Sequence, residues 1–262
     1  MKTETNSKIR RITAISVFCA LSYICILFIH FKVSFLTFDL KDSIMAIGAM
    51  YFGPIAAVIM PLIVSFVEFL TISTTGISGL IMNFLSSAAF CLVASLIYKY
   101  KKTLAGAIIS LVSASVVMTV VMIFANMYIT PLYTGFPSED IRALIPTLLL
   151  PFNLSKGLFN SCVVMMLYKP FATALRSAHI LRTSEIGADT SVTSDRSHAV
   201  TKLPVIIVSV VILVAVLLYL FLVLGANIAL FHCKNCVNFT APALQRKSTY
   251  DILFIMLTLE FL

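Results

Sequence analysis

The chain has 262 residues, 60% hydrophobic and 11% charged, with a mean hydropathy of +1.04. Soluble domains carry about 25% charged residues, so this composition excludes a water-facing globule and makes lipid the solvent for most of the surface. The net charge of +8 does not point to nucleic acid, because the basic residues lie between apolar runs, where they orient a chain in a membrane. Open sheet edges would leave backbone groups unpaired in lipid, so the predicted fold class is an all-α polytopic membrane bundle.

Residues 1–11 are a basic N-terminus holding Lys2, Lys8, Arg10 and Arg11. The apolar run after it, 12–31, is long enough to span and has no A-x-A cleavage pattern behind it, so it reads as a first transmembrane helix and not as a removed signal. A loop is predicted over 32–42. A short second segment starts near Ser43 and stops at the turn signal Gly53-Pro54; about 11 residues are too few to cross alone if straight. The third segment is 55–72, with Pro61 as a potential kink, and Ser73-Thr74-Thr75-Gly76 closes it. The fourth is 77–98, followed by the basic turn Lys99-Tyr100-Lys101-Lys102. The fifth is 104–129, and a loop is expected over 130–142, with Pro131, Gly135 and Pro137. The sixth lies within 143–168; Pro146 and Pro151 interrupt it, so its regular part is expected from Pro151.

With the N-terminus inside, Lys99, Lys101, Lys102, Lys169, Arg176 and Arg182 join the four N-terminal charges on the cytoplasmic side. Only Lys32, Lys41 and Arg142 then lie outside, which fits the positive-inside rule. The expectation is therefore a multi-pass protein of a bacterial cell membrane with a cytoplasmic N-terminus. Residues 12–176 form its six-helix domain. Residues 177–202 are a cytoplasmic linker whose core is rich in Ser, Thr, Asp and Gly. Residues 203–231 hold a seventh, almost uniformly aliphatic helix that reads as an anchor, and 232–262 a tail without an assigned role. Cys19, Cys25, Cys91 and Cys162 sit inside apolar runs as small hydrophobes. Cys233 and Cys236 form one C-x-x-C without the second ligand pair that a structural zinc site needs, leaving a disulfide, a chance spacing or a partial site open.

Polar residues inside spanning segments are costly and mark sites by default. Glu68, Asn83, Asn126, Asn153 and Lys156 stand out. Asn153 and Lys156 are three apart and share a helix face. They offer an amide that donates and accepts and an ammonium that only donates. In the proposed topology the five converge toward an outward-facing pocket. The alternative for Asn83 is a bond between helices. For Glu68 and Lys156 it is a structural ion pair, with Lys156 snorkelling as a third reading. Tyr128, Tyr133 and Phe152 are interface-belt aromatics or stacking partners for a flat ligand.

The stretch Pro151-Phe152-Asn153-Leu154-Ser155-Lys156-Gly157 is similar to the P-F-N-x-x-K-G signature of riboflavin-specific S components of energy-coupling-factor transporters. So are Phe35-Leu36-Thr37-Phe38-Asp39-Leu40-Lys41-Asp42, Phe52-Gly53-Pro54, the run from Glu68 to Gly76 continuing to Met82-Asn83-Phe84, and Asn126-Met127-Tyr128 with Pro131 and Tyr133. The resemblance covers about residues 8–176. It implies six helices that bind a vitamin from outside and dock on a transmembrane coupling subunit driven by two cytoplasmic ATPases. Riboflavin is then the transported ligand, no cofactor belongs to this chain, and ATP is used by the partners. The docking face of that family carries a small-xxx-small pattern on helix one, which Ser16 and Ala20 match in degenerate form. The seventh helix departs from the family pattern. Asn side chains pair with the carbonyl, N–H, carbonyl edge of a flavin, and Lys donates to it; Thr37, Asp39, Lys41 and Thr75 are candidate partners for the ribityl hydroxyls, and Tyr133 joins them as a site residue.

Two rival classes remain at this point. A stand-alone proton-coupled secondary transporter would use Glu68 as its coupling carboxylate; within the S-component reading, another vitamin is the alternative ligand. A membrane enzyme finds no support, since H-E-x-x-H, G-x-S-x-G and Walker A patterns are absent and the histidines are scattered.

Overall fold

The computed structural model describes residues 2–28, 30–33, 36–73, 75–135 and 137–177, together with Val211, Val214, Ala215 and Leu218. The first apolar run folds as α1, Lys2–Phe28. It ends three residues earlier than the run suggests, because the chain leaves the helix for a two-stranded antiparallel hairpin: β1, His30–Val33, pairs with β2, Leu36–Asp39, in the register His30 to Asp39 and Val33 to Leu36. The hairpin corrects the expectation of an irregular loop over 32–42. Its β-branched and aromatic residues pair their own backbone, as a peptide in a water-poor setting must.

α2, Lys41–Phe52, is 12 residues long, about 18 Å at 1.5 Å per residue. Every residue of it except Tyr51 is buried. That resolves its shortness: it is enclosed by neighbouring helices, and the extended β2, with Leu36, Phe38 and Asp39 buried, supplies the rest of the depth. Gly53, at φ 88°, turns the chain into α3, Pro54–Thr71, whose first residue is the proline that helix starts tolerate. α4 is Gly76–Tyr100 and α5 is Leu104–Thr134, capped at its start by the Thr103 hydroxyl. Pro131 removes one N–H but does not end α5, which runs to Gly135 at φ 73°. The expected loop over 130–142 is therefore largely helical, its second half being α6, Ser138–Ala143. A π-turn at Ile145–Leu149, with Pro146 in it, leads into α7, Leu150–Ser177, so the regular helix starts one residue before Pro151.

Five of these helices, α1, α3, α4, α5 and α7, are long and apolar enough to cross a membrane. Their radial pattern is that of a protein dissolved in lipid. On α3 the outward residues include Ile55, Ile59, Leu62, Phe66 and Leu70, whereas Ser65 and Glu68 point inward. On α5, Ile109, Val112, Val116 and Phe124 face out, and Ser110, Ser115 and Thr119 face in. Small inward residues let helices approach closely. A Cβ on Gly157 of α7 would sit 2.8 Å from the Ser115 Cβ of α5. The linker and the seventh helix lie outside the described residues, except that Ser177 and the four between 211 and 218 are helical. The tail, with Cys233 and Cys236, lies wholly outside them.

Candidate functional site

The hairpin delivers charge into the bundle. Asp39 closes β2, Lys41 and Asp42 open α2, Glu68 sits in the last turn of α3, and Lys156 is in the second turn of α7. All five are buried. The Lys41 ammonium donates to Glu68 Oε2 at 2.5 Å and lies 3.9 Å from Asp39 Oδ2. Lys156 Nζ donates to Asp39 Oδ2 at 3.0 Å and to the Thr37 carbonyl at 3.3 Å, and stands 3.6 Å from Asp42 Oδ2. Asn83 donates to the second Glu68 oxygen at 2.6 Å, and Ser87 to Asp42 Oδ1. Glu68 and Lys156 do not pair directly: each is neutralised by a residue of the β2–α2 junction.

Asn160, one turn beyond Lys156, locks that junction to α7. Its amide donates to the Asp39 carbonyl at 3.3 Å, and its side-chain oxygen accepts from the Ser43 N–H at 3.1 Å and from the Ser43 hydroxyl. The spacing Asn153, Lys156, Asn160 places all three on one helix face, a signal in the sequence that could have extended the site to Asn160. Asp42 and Ser87 carry no such pattern.

Beside the cluster is a cavity of about 60 Å³. Six of the sequence-predicted residues line it: Thr37, Thr75, Asn83, Tyr133, Asn153 and Lys156. Leu36, Gly79, Met82, Ser86, Met122 and Phe152 complete the wall; of these, Ser86 and Met122 stand outside every stretch singled out in the sequence. Phe152 is braced edge-on by Phe38, with ring centroids 6.0 Å apart. Asn153 donates from its side-chain amide to Leu149 O on its own helix at 2.8 Å. Four predicted residues do not line the cavity. Asp39, Lys41 and Glu68 lie behind it in the ion cluster. Asn126 is buried, donates to Met122 O at 2.7 Å and accepts from Thr130 at 2.8 Å. Ser16 and Ala20 are exposed on α1, away from the cavity walls.

This small cavity, lined by polar and apolar side chains of a helical membrane bundle, has a family behind it. Residues 10–168 match the family described as "ECF transporter, substrate-specific component". The chain belongs to that family. As an S component it is a substrate-binding subunit of a transporter and not an enzyme. It is 31% identical over 177 residues to "Riboflavin transporter RibU" of Staphylococcus aureus (strain TCH60), covering 64% of this chain and 93% of that one. It is 24% identical over 189 residues to "Riboflavin transporter FmnP" of Bacillus subtilis (strain 168), covering 66% and 99%. A solved S component, from "Structure and mechanism of the S component of a bacterial ECF transporter", superposes with a TM-score of 0.55 at 31% identity, over 64% of this chain and 99% of that one. The matched portion of this S component thus stops short of its C-terminal third.

Proposed function

We propose that this S component binds riboflavin in the cavity beside the ion cluster and delivers it through an ATP-driven module. The observation that carries the reading is the cavity wall. The Asn153 amide, the Lys156 ammonium and the Asn83 amide stand with the Phe152 ring around one space. That set matches a flat apolar ligand with one mixed hydrogen-bonding edge, and the relatives are named as riboflavin transporters. The cavity is far below the roughly 300 Å³ or more of a ligand site of that class, so binding widens it. Leu36, Thr37, Thr75 and Tyr133, next to chain connections, are the wall segments that can give way.

Arg10, Arg11, Lys99, Lys101 and Lys102 flank spans at one end of the bundle and the hairpin lies at the other, which supports a cytoplasmic N-terminus and entry from outside the cell. Thr13, Ser16, Val17 and Ala20 form an exposed stripe on α1, which suits docking on a transmembrane coupling subunit. Two cytoplasmic ATPases complete the module, and ATP is theirs to hydrolyse. In this reading residues 12–176 are the vitamin-binding domain, and 177–262 add a linker, an anchor and a tail. Glu68 accepts from both Lys41 and Asn83, so it serves as a structural counter-charge.

The test is to purify the full chain and titrate riboflavin by its fluorescence. The expected result is yellow protein with quenched flavin emission. Folded protein that leaves the emission unchanged at micromolar flavin overturns the reading.

A further inference from the structure

The ion cluster does not balance. Asp39, Asp42 and Glu68 bring three negative charges, and Lys41 and Lys156 bring two positive ones, all in side chains with at most 7% exposure. An uncompensated charge in a dry, low-dielectric interior is expensive enough that the group takes a proton instead. Two carboxylate oxygens, Asp39 Oδ1 and Asp42 Oδ2, are buried and accept no hydrogen bond. They mark where the missing positive charge belongs.

We propose that the cluster contains a proton-binding site on Asp42 Oδ2, occupied at neutral pH, so that Asp42 is a neutral carboxylic acid in the resting protein. The surroundings select it over the other two acids. Glu68 has both oxygens filled by donors, Lys41 at 2.5 Å and Asn83 at 2.6 Å. Asp39 holds Lys156 at 3.0 Å in a direct hydrogen bond. Asp42 has only the neutral Ser87 hydroxyl on Oδ1, and its nearest ammonium, Lys156, is 3.6 Å from Oδ2 and turned to Asp39.

Burial and the neighbouring Asp39 carboxylate favour the acid form of Asp42, and the Lys156 and Lys41 ammoniums, each committed to another carboxylate, oppose it. Lys156 faces it from α7, Asp39 from β2 and Lys41 from its own helix; α4 contributes Ser87 and the Cys91 thiol, and Glu68 on α3 reaches it only through Lys41. From α1, Arg11 is engaged at the far end of α2, on the Phe52 carbonyl. Protonation takes one proton from water, turns the carboxylate into a carboxylic acid and leaves two charges of each sign. It also converts an acceptor without a partner into an O–H donor, beside a second carboxylate that still has a free acceptor oxygen.

The experiment is infrared spectroscopy of the purified, ligand-free full chain, read at the carbonyl stretch of protonated carboxylic acids. The expected result is one such band at neutral pH that is absent in Asp42→Asn. Ser87→Ala, which removes the donor to Oδ1, should shift the band without abolishing it, and this assigns the band even if Asp42→Asn does not fold. Absence of the band, or its persistence unchanged in Asp42→Asn, overturns the proposal. The band needs no ligand, so a protein that shows it and fails to bind riboflavin refutes the ligand assignment alone.

Discussion

Lys156 Nζ and Asp39 Oδ2 meet at 3.0 Å although 117 residues separate them, and the contact joins the cavity wall on α7 to the end of the hairpin. Removing the ammonium leaves Asp39 and Asp42 buried without it. Lys156→Met should therefore lower stability by about 3–5 kcal/mol, the range for breaking a buried pair from one side. Thermal unfolding in detergent measures this. Adding Asp39→Asn should recover part of the loss; a double variant no more stable than Lys156→Met would show that the pair is not the source.

Asn153 separates binding from folding. Its one protein hydrogen bond among the described residues is to its own helix, so Asn153→Ala should change unfolding little. A ligand group left without its partner costs about 1–3 kcal/mol, or roughly 5- to 150-fold in Kd for riboflavin. Leu154, outside the cavity wall and half-buried, is the control. Flavin titration of both variants checks the contrast, and equal small effects would place Asn153 outside the ligand's reach.

Gly157 tests the packing of α5 on α7. A Cβ there would stand 2.8 Å from Ser115 Cβ and 3.0 Å from Ser115 Cα. The obstacle includes backbone, which cannot rotate away. Gly157→Leu should destabilise the bundle by about 1–3 kcal/mol through overpacking. The measurement is the unfolding midpoint, and an unchanged midpoint would mean that the two helices separate freely.

Deleting 199–262 should leave riboflavin affinity unchanged, since the cavity wall runs from Leu36 to Lys156. A truncated chain that folds and binds nothing would assign part of the site to the removed segment.

Much of this was legible in the sequence because a membrane protein writes its interior in polar letters. Asn83, Asn153 and Lys156 announced themselves as costly residues in apolar runs, and each reached the cavity wall. Asn126, picked out by the same rule, bonds the Met122 carbonyl one turn back and stands outside the cavity wall; no pattern in the chain distinguishes that carbonyl from a ligand. Glu68 and Lys156 were natural partners by charge. The structure pairs them with Lys41 and Asp39 instead, since the hairpin carries both signs into the bundle. The hairpin itself was hidden because residues 12–31 read as one apolar run, and only pairing with 36–39 ends the helix at Phe28. Pro131 read as a terminator, yet near the end of a long helix one lost N–H is tolerable.

The shortness of α2 bears on how the protein is made. With 12 residues and both Lys41 and Asp42 in its first turn, α2 is not among the helices apolar enough to span. Two ionisable residues at membrane depth oppose its entry on its own. Its place becomes favourable only when Glu68 from α3, Ser87 from α4 and Lys156 from α7 are there to receive those two side chains. Settling of α2 at its final depth should then depend on helices made after it, α7 included. A nascent chain arrested before residue 150 should leave a cysteine placed on α2 more accessible to a water-soluble thiol reagent than the full chain does.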